Sequence, residues 1–146
     1  MNLLIKEKFL ELERQVGNMT ITNYPAGDFL IRVKNVALAS GSVVTVPTTK
    51  LVHSLAKCLC DEGFLQDVKV SKGILTTKIG YSHKEPVLVD LKLVSKPGLR
   101  VYKSINDLKD RKSTSSFLIL STPKGVITSK KAIKENVGGE VIAEVW

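Results

Sequence analysis

Two histidines, His53 and His83, and two cysteines, Cys58 and Cys60, are the side chains of this sequence best suited to nucleophilic, acid–base or metal chemistry. Their spacing serves none of these well. Cysteines two apart on a helix point to different faces, and the pair is not the Cys-x-x-Cys of redox or zinc sites. They read as reduced, buried, small apolar residues. His53 falls beside the core stripe of a helix, and His83 falls in a loop. A serine–histidine–acid triad is spatial and leaves no fixed spacing. Even so, the chain has no Gly-x-Ser-x-Gly and no Gly-x-x-x-x-Gly-Lys-Ser/Thr. The expectation is a protein that is not an enzyme, with no metal and no cofactor.

The cations are more informative. The chain of 146 residues carries a formal net charge of +8 and a pI near 9.5. A balance of this size suits a polyanionic partner. An ordinary solvated basic surface would share the composition, so placement matters more than number. Residues 96–134 hold ten basic side chains, among them Lys96, Arg100, Lys103, Lys124, Lys130, Lys131 and Lys134, against two acids, Asp107 and Asp110. The remainder of the chain is balanced, so this stretch carries the whole excess. Hydroxyl residues and glycines are interleaved with its cations. Cations meet phosphates without regard to sequence. Small hydroxyl side chains and glycine backbone can approach the shallow RNA minor groove and its 2′-hydroxyls.

These residues need elements to hold them. With 43% hydrophobic residues the chain can bury a core. No apolar run approaches the roughly 20 residues of a membrane span, and Lys6, Glu7 and Lys8 interrupt the first apolar run too early for a secretory signal. A soluble, intracellular protein is expected. Residues 1–17 read as a short helix with poor apolar periodicity, an appendage. Pro25–Asp28 opens a helix with Phe29, Val33, Val36 and Ala37 on one side and Asp28, Arg32 and Asn35 on the other. Ser42–Val46 is a β-branched strand. Pro47-Thr48 starts a second helix with Leu51, Val52, Leu55, Ala56 and Leu59 as its stripe, stopped by Gly63.

The period then becomes two. Leu65–Val70 and Ile74–Tyr81 read as a hairpin around Ser71-Lys72-Gly73. Val87–Val94 reads as a further strand with Val87, Val89, Leu91 and Leu93 facing one way. The turn Lys96-Pro97-Gly98 is the expected boundary between two lobes. Beyond it come Arg100–Lys103, a polar loop over Ser104–Ser116, the strand Phe117–Leu120, a loop over Ser121–Gly125, a short helix Ser129–Asn136 capped by Thr128, and a final strand Val141–Trp146. The expected fold is α+β: an extension over 1–18, an N-terminal α/β lobe over 19–95 in the order helix-strand-helix-strand-strand-strand, and a mainly β lobe with a short helix over 96–146.

Three segments of the second lobe are specific: Lys96-Pro97-Gly98-Leu99-Arg100-Val101-Tyr102, Leu118-Ile119-Leu120-Ser121-Thr122-Pro123-Lys124-Gly125-Val126, and Val137-Gly138-Gly139-Glu140-Val141 with the terminal Val145-Trp146. In this order and at these separations they resemble the eighth small-subunit ribosomal protein of the bacterial type. Ala26–Asn35, Pro47–Leu51 and Glu62-Gly63-Phe64 agree more loosely, so the resemblance covers roughly residues 21–146.

The resemblance implies a structural component of the small ribosomal subunit, in two lobes. It implies binding to the central domain of small-subunit ribosomal RNA, contact with neighbouring ribosomal proteins, and in many bacterial members binding to a mimic of the site in their own messenger RNA. The setting would be the cytoplasmic ribosome, or an organelle that keeps a bacterial-type ribosome. Carried over by position, Ser121 and Thr122 would meet bases and ribose, and Lys124 a phosphate, beside the Gly125 backbone. Gly138-Gly139-Glu140 would lie next to this loop, with Glu140 orienting it. Arg100 and Lys96 belong to the basic lobe that meets the RNA; Arg32, Asn35, Thr48 and Lys50 would approach its backbone. Pro123 departs from the family pattern, which usually has a third hydroxyl residue there, and proline also lacks an N–H. A protein–protein interaction module that kept the fold is the alternative. Salt separates the two, because an RNA binder loses affinity steeply as salt rises.

Overall fold

The computed structural model describes residues 24–111 and 115–146. The expected helix over residues 1–17 and part of the Ser113–Ser116 loop lie outside them. The chain forms two compact units, one ending at Leu88 and the other spanning Val89–Trp146.

In the first unit, α1 (Pro25–Leu38) begins with a proline at a position whose N–H would have no helical partner. Phe29, Leu30, Val33, Val36 and Ala37 recur at helical spacing and are buried. The helix ends where Ser40 turns left-handed, φ 56°, and the Gly41 N–H closes on the Val36 carbonyl at 2.8 Å. In β1 (Val43–Pro47), Val44 and Val46 point inward. Pro47 closes that strand, and α2 (Lys50–Asp61) starts later than Pro47-Thr48 suggests. Its cap is Thr49, whose hydroxyl accepts the Val52 N–H at 3.2 Å. Val52, Leu55, Ala56, Cys58 and Leu59 form its buried face, and both cysteines are free thiols.

The antiparallel strands β2 (Leu65–Ser71) and β3 (Ile74–Ile79) turn at Lys72 and Gly73, both at positive φ, and give a sheet in the order β1–β3–β2. Helices α1 and α2 pack on each other and on this sheet. The expected Ile74–Tyr81 strand ends at Ile79, and at Gly80 the chain runs so close to Gly63 that a Cβ would lie 2.3 Å from its carbonyl oxygen. A small hairpin follows, β4 (Tyr81–Ser82) with β5 (Glu85–Pro86).

The second unit starts with β6 (Leu91–Leu93) and β7 (Tyr102–Lys103). It continues through α3 (Ile105–Asp110), β8 (Phe117–Thr122), β9 (Gly125–Thr128), α4 (Ser129–Lys134) and β10 (Gly139–Val145). The sheet runs β6–β10–β8–β9, with β7 also on β10, all antiparallel. Leu108, Leu118, Leu120, Ile127, Ala132 and Val141 form its core.

Four readings are corrected. Val87–Val94 is not the last strand of the first lobe: only Leu91–Leu93 is strand, and its partner is β10. Its alternation fails at Val89, which is 72% exposed, because the chain passes there from one unit to the other. The division accordingly falls before Val89, upstream of Lys96-Pro97-Gly98. Part of the polar loop over Ser104–Ser116 is α3, and part of the loop over Ser121–Gly125 is the turn of a β8–β9 hairpin. Finally, α4 stops at Lys134, with the Thr128 hydroxyl accepting the Lys131 N–H at its start as expected.

Candidate nucleic-acid interface

The first residues of β10 lie between two strands. Gly139 is opposite Lys103 and Glu140 opposite Tyr102 on one side, and Glu140 is opposite Ser121 on the other. The approach is close enough to demand glycine. A Cβ on Gly139 would lie 2.2 Å from the Ser121 carbonyl oxygen, and one on Gly138 would lie 2.5 Å from that of Lys103. The result is an open groove lined by Tyr102, Lys103, Ser104, Ser121, Thr122, Pro123, Gly138, Gly139 and Glu140.

The hairpin tip at the edge of this groove is braced by one side chain. The Thr122 hydroxyl donates to the Gly125 carbonyl at 2.8 Å and accepts the Lys124 N–H at 3.1 Å. Pro123 occupies the first corner, where its fixed φ suits the turn and no N–H is needed, and Gly125 takes the positive φ of 108°. The missing donor of Pro123 therefore costs the hairpin nothing. Ser121 is half-buried, and its hydroxyl has no partner among the described residues.

Three cations of the basic stretch are paired with glutamates from outside it. Lys124 Nζ meets Glu135 Oε2 at 3.1 Å, and Arg100 Nη1 meets Glu140 Oε1 at 3.2 Å. Arg111 Nη2 meets Glu144 Oε1 at 3.0 Å, and both hold the Ser116 hydroxyl. Lys96 is exposed beside a tight turn in which Lys96 and Leu99 exchange both backbone hydrogen bonds. Buried Ser95 ties this turn to β10: its hydroxyl accepts the Val101 N–H and donates to the Val141 carbonyl.

Ser121, Thr122, Lys124, Gly125, Gly139, Glu140 and Arg100 thus come together in the second unit. Arg32, Asn35, Thr48 and Lys50 belong to the first. There Arg32 Nη1 donates to the Thr45 carbonyl at 3.0 Å, while its Nε is buried without a partner among the described residues. Thr48 donates its N–H to the Gly73 carbonyl and its hydroxyl to the Thr49 carbonyl. Asn35 is half-buried on α1, and Lys50 is exposed at the start of α2.

Sequence reasoning missed three lining residues, Tyr102, Lys103 and Ser104. Tyr102 is 69% exposed, and an aromatic residue set among Arg100 and Lys103 was the available signal. Ser104 also caps α3. Its N–H and hydroxyl hydrogen-bond the Asp107 carboxylate and hold that carboxyl below the usual range. Among the described residues no group of three His, Cys, Asp or Glu side chains is placed to hold a metal ion, and no helix is long and apolar enough to cross a membrane.

A family model for Ribosomal protein S8 matches residues 25–146, from the first turn of α1 to the last residue. The chain belongs to the ribosomal protein S8 family. It is 42% identical over 127 residues to "Small ribosomal subunit protein uS8" of Streptococcus pneumoniae serotype 19F (strain G54), an alignment covering 84% of this chain and 96% of that protein. The protein of the same description from Streptococcus sanguinis (strain SK36) is 41% identical over the same shares. S8 membership makes the chain a structural ribosomal protein and not an enzyme. The braced hairpin, the glycine pair and Tyr102 all lie within the S8 match.

Proposed function

We propose that the second lobe binds the central domain of small-subunit ribosomal RNA through the Ser121–Thr122 groove, and so supports assembly of the subunit. The chain itself is a structural constituent of the small ribosomal subunit and works as part of the ribosome in the cytoplasm. Neighbouring proteins of the subunit are its other partners, and its own messenger RNA is a second RNA target in this reading.

One observation carries it: a hairpin tip braced by the Thr122 hydroxyl, over a glycine floor, next to a Ser121 hydroxyl with no partner among the described residues. RNA is recognised by shape and through 2′-hydroxyls in a wide, shallow minor groove. A floor without side chains lets that surface come close, and Ser121 can both donate to it and accept from it. The exposed Tyr102 ring offers a face for a base or ribose. Lys124, Arg100 and Lys96 supply phosphate attraction that is indifferent to sequence.

The double variant Ser121→Ala, Thr122→Ala should fold and yet lose discrimination between the cognate RNA fragment and an unrelated hairpin, by roughly 1–3 kcal/mol. Equal loss on both RNAs would show that the groove only positions the backbone. Replacing Lys124 or Arg100 with alanine should weaken both complexes and flatten the salt dependence by about one counterion each. A salt dependence that is flat in the wild type would instead favour a protein partner.

A further inference from the structure

The cations of the second lobe differ in what holds them. Lys124, Arg100 and Arg111 are each paired with a glutamate, whereas Lys103, which lines the groove, and Lys96 are exposed with no ion pair among the described residues. Lys130, Lys131 and Lys134 on α4 are exposed and have no ion pair among the described residues. The nearest acid in sequence, Glu135, is already held by Lys124.

Only part of their arrangement suits the helix: Lys131 and Lys134 lie in its last turn, where cations complement the dipole. Lys130 and Lys134 are one turn apart and Lys131 and Lys134 three residues apart, so like charges face each other. No acid stands in the first turn, and Lys130 there opposes the partial positive charge of the helix start. Such a cluster is relieved by an external anion.

The helix is also placed to share the partner of the groove. At its start, the Ser129 hydroxyl accepts the Leu118 N–H at the base of the β8–β9 hairpin. At its end, Glu135 meets Lys124 at the hairpin tip. So α4 runs along the flank of the hairpin from base to tip, with Lys134 next to the tip end.

We propose that Lys130, Lys131 and Lys134 form a second phosphate-binding face, which grips the RNA backbone flanking the segment held in the Ser121–Thr122 groove. The proposal rests on the RNA-binding reading of that groove. The groove supplies selectivity, and the α4 face supplies much of the charge-driven affinity, because its lysines need not leave a glutamate to meet a phosphate.

The test compares two RNAs, the cognate central-domain fragment with long flanking stems and the same fragment trimmed to its irregular core. Three proteins are titrated over a salt series: the wild type, a triple Lys130→Gln, Lys131→Gln, Lys134→Gln variant, and a control triple Lys57→Gln, Lys72→Gln, Lys84→Gln of equal net charge. The α4 variant should lose about tenfold or more in affinity for the long RNA at low salt, with a salt slope lower by about two to three. It should bind the trimmed RNA nearly as well as the wild type and still prefer it to an unrelated hairpin. Its thermal midpoint should stay close to that of the wild type, since lysine repulsion and helix-end attraction are removed together. Unchanged affinity for the long RNA, or an equal loss in the control triple, overturns the second face and leaves the groove reading standing. A wild type that does not prefer the cognate RNA overturns the groove reading, and this proposal with it.

Discussion

Two hairpin tips, one in each lobe, have the same length and opposite construction. Thr122-Pro123-Lys124-Gly125 links β8 to β9, and Ser82-His83-Lys84-Glu85 links β4 to β5. In the first tip every constraint is met by a residue suited to it: proline at the first corner, glycine at φ 108°, and a threonine hydroxyl bonded at both ends. In the second tip, His83 and Lys84 sit at φ 51° and 69°, conformations that a side chain disfavours by roughly 1–2 kcal/mol each. Two loops of equal length thus turn with opposite backbone handedness, one on residues suited to it and the other on residues that only tolerate it. In the proposed RNA-binding reading, the Thr122 tip is set apart by its bracing and its glycine floor.

The largest effect should come from removing that floor. Gly139→Ala drives a Cβ into the Ser121 backbone, which cannot swing aside, so β10 and β8 must part. The loss should be about 3 kcal/mol, at the upper end for overpacking, by denaturant unfolding, with RNA discrimination lost as well. Stability within error of the wild type would mean that the strands separate freely and the floor constrains nothing. Next comes the brace. Thr122→Val deletes both hydroxyl bonds at an exposed tip and should cost roughly 1 kcal/mol. The Lys124 amide should exchange faster with solvent; an unchanged rate would show that Pro123 and Gly125 hold the turn unaided.

The contrast should reverse in sign at the other tip. Lys84→Gly relieves a left-handed residue and should stabilise the protein by about 0.5 kcal/mol, with no change in RNA affinity. Destabilisation would show that the tip is less strained than its φ values imply. The smallest effect is pH-dependent and concerns Asp107, beside the groove. Its carboxyl is held low in the fold by the Ser104 N–H and hydroxyl. Its contribution is therefore present above the ordinary carboxylate value, about 3.9, and lost as pH falls through the lowered value. The gap in thermal midpoint between wild type and Asp107→Asn should exist at neutral pH and close in acid. A gap that stays constant would place the effect in packing.

Long periodic segments were legible in the sequence because burial sets their period. The α1 stripe and the Lys72-Gly73 turn are where residue spacing puts them, and so is the α2 stripe except at Leu51, which is exposed while Cys58 is buried. The short elements were not. In α3, Leu108 is the one buried residue, so no stripe exists to be read, although Ser104-x-x-Asp107 was visible as a capping signal. Strand β6 reads as part of a longer alternation because sequence does not show that its partner is β10. In the site, the three specific segments brought the groove residues together. The glutamate partners stayed hidden: Glu135, Glu140 and Glu144 lie beyond residue 134, so the stretch 96–134 looks more nakedly basic than the folded lobe is. Tyr102 was visible as a residue but not as part of the groove, since only the β7–β10 register puts it opposite Glu140.

The bond from Arg32 to Thr45 has a bearing on solubility. β1 is an edge of the first sheet, and the bonds Ile79 N–H to Ser42 and Thr48 N–H to Gly73 fix which of its groups face inward. By alternation, the backbones of Val43, Thr45 and Pro47 face outward, where another chain could add a strand. Pro47 has no N–H to offer, and the guanidinium of Arg32 already occupies the Thr45 carbonyl. The ladder that a foreign strand would need is broken in its middle and at its end, so this edge of the sheet carries its own guard against strand addition.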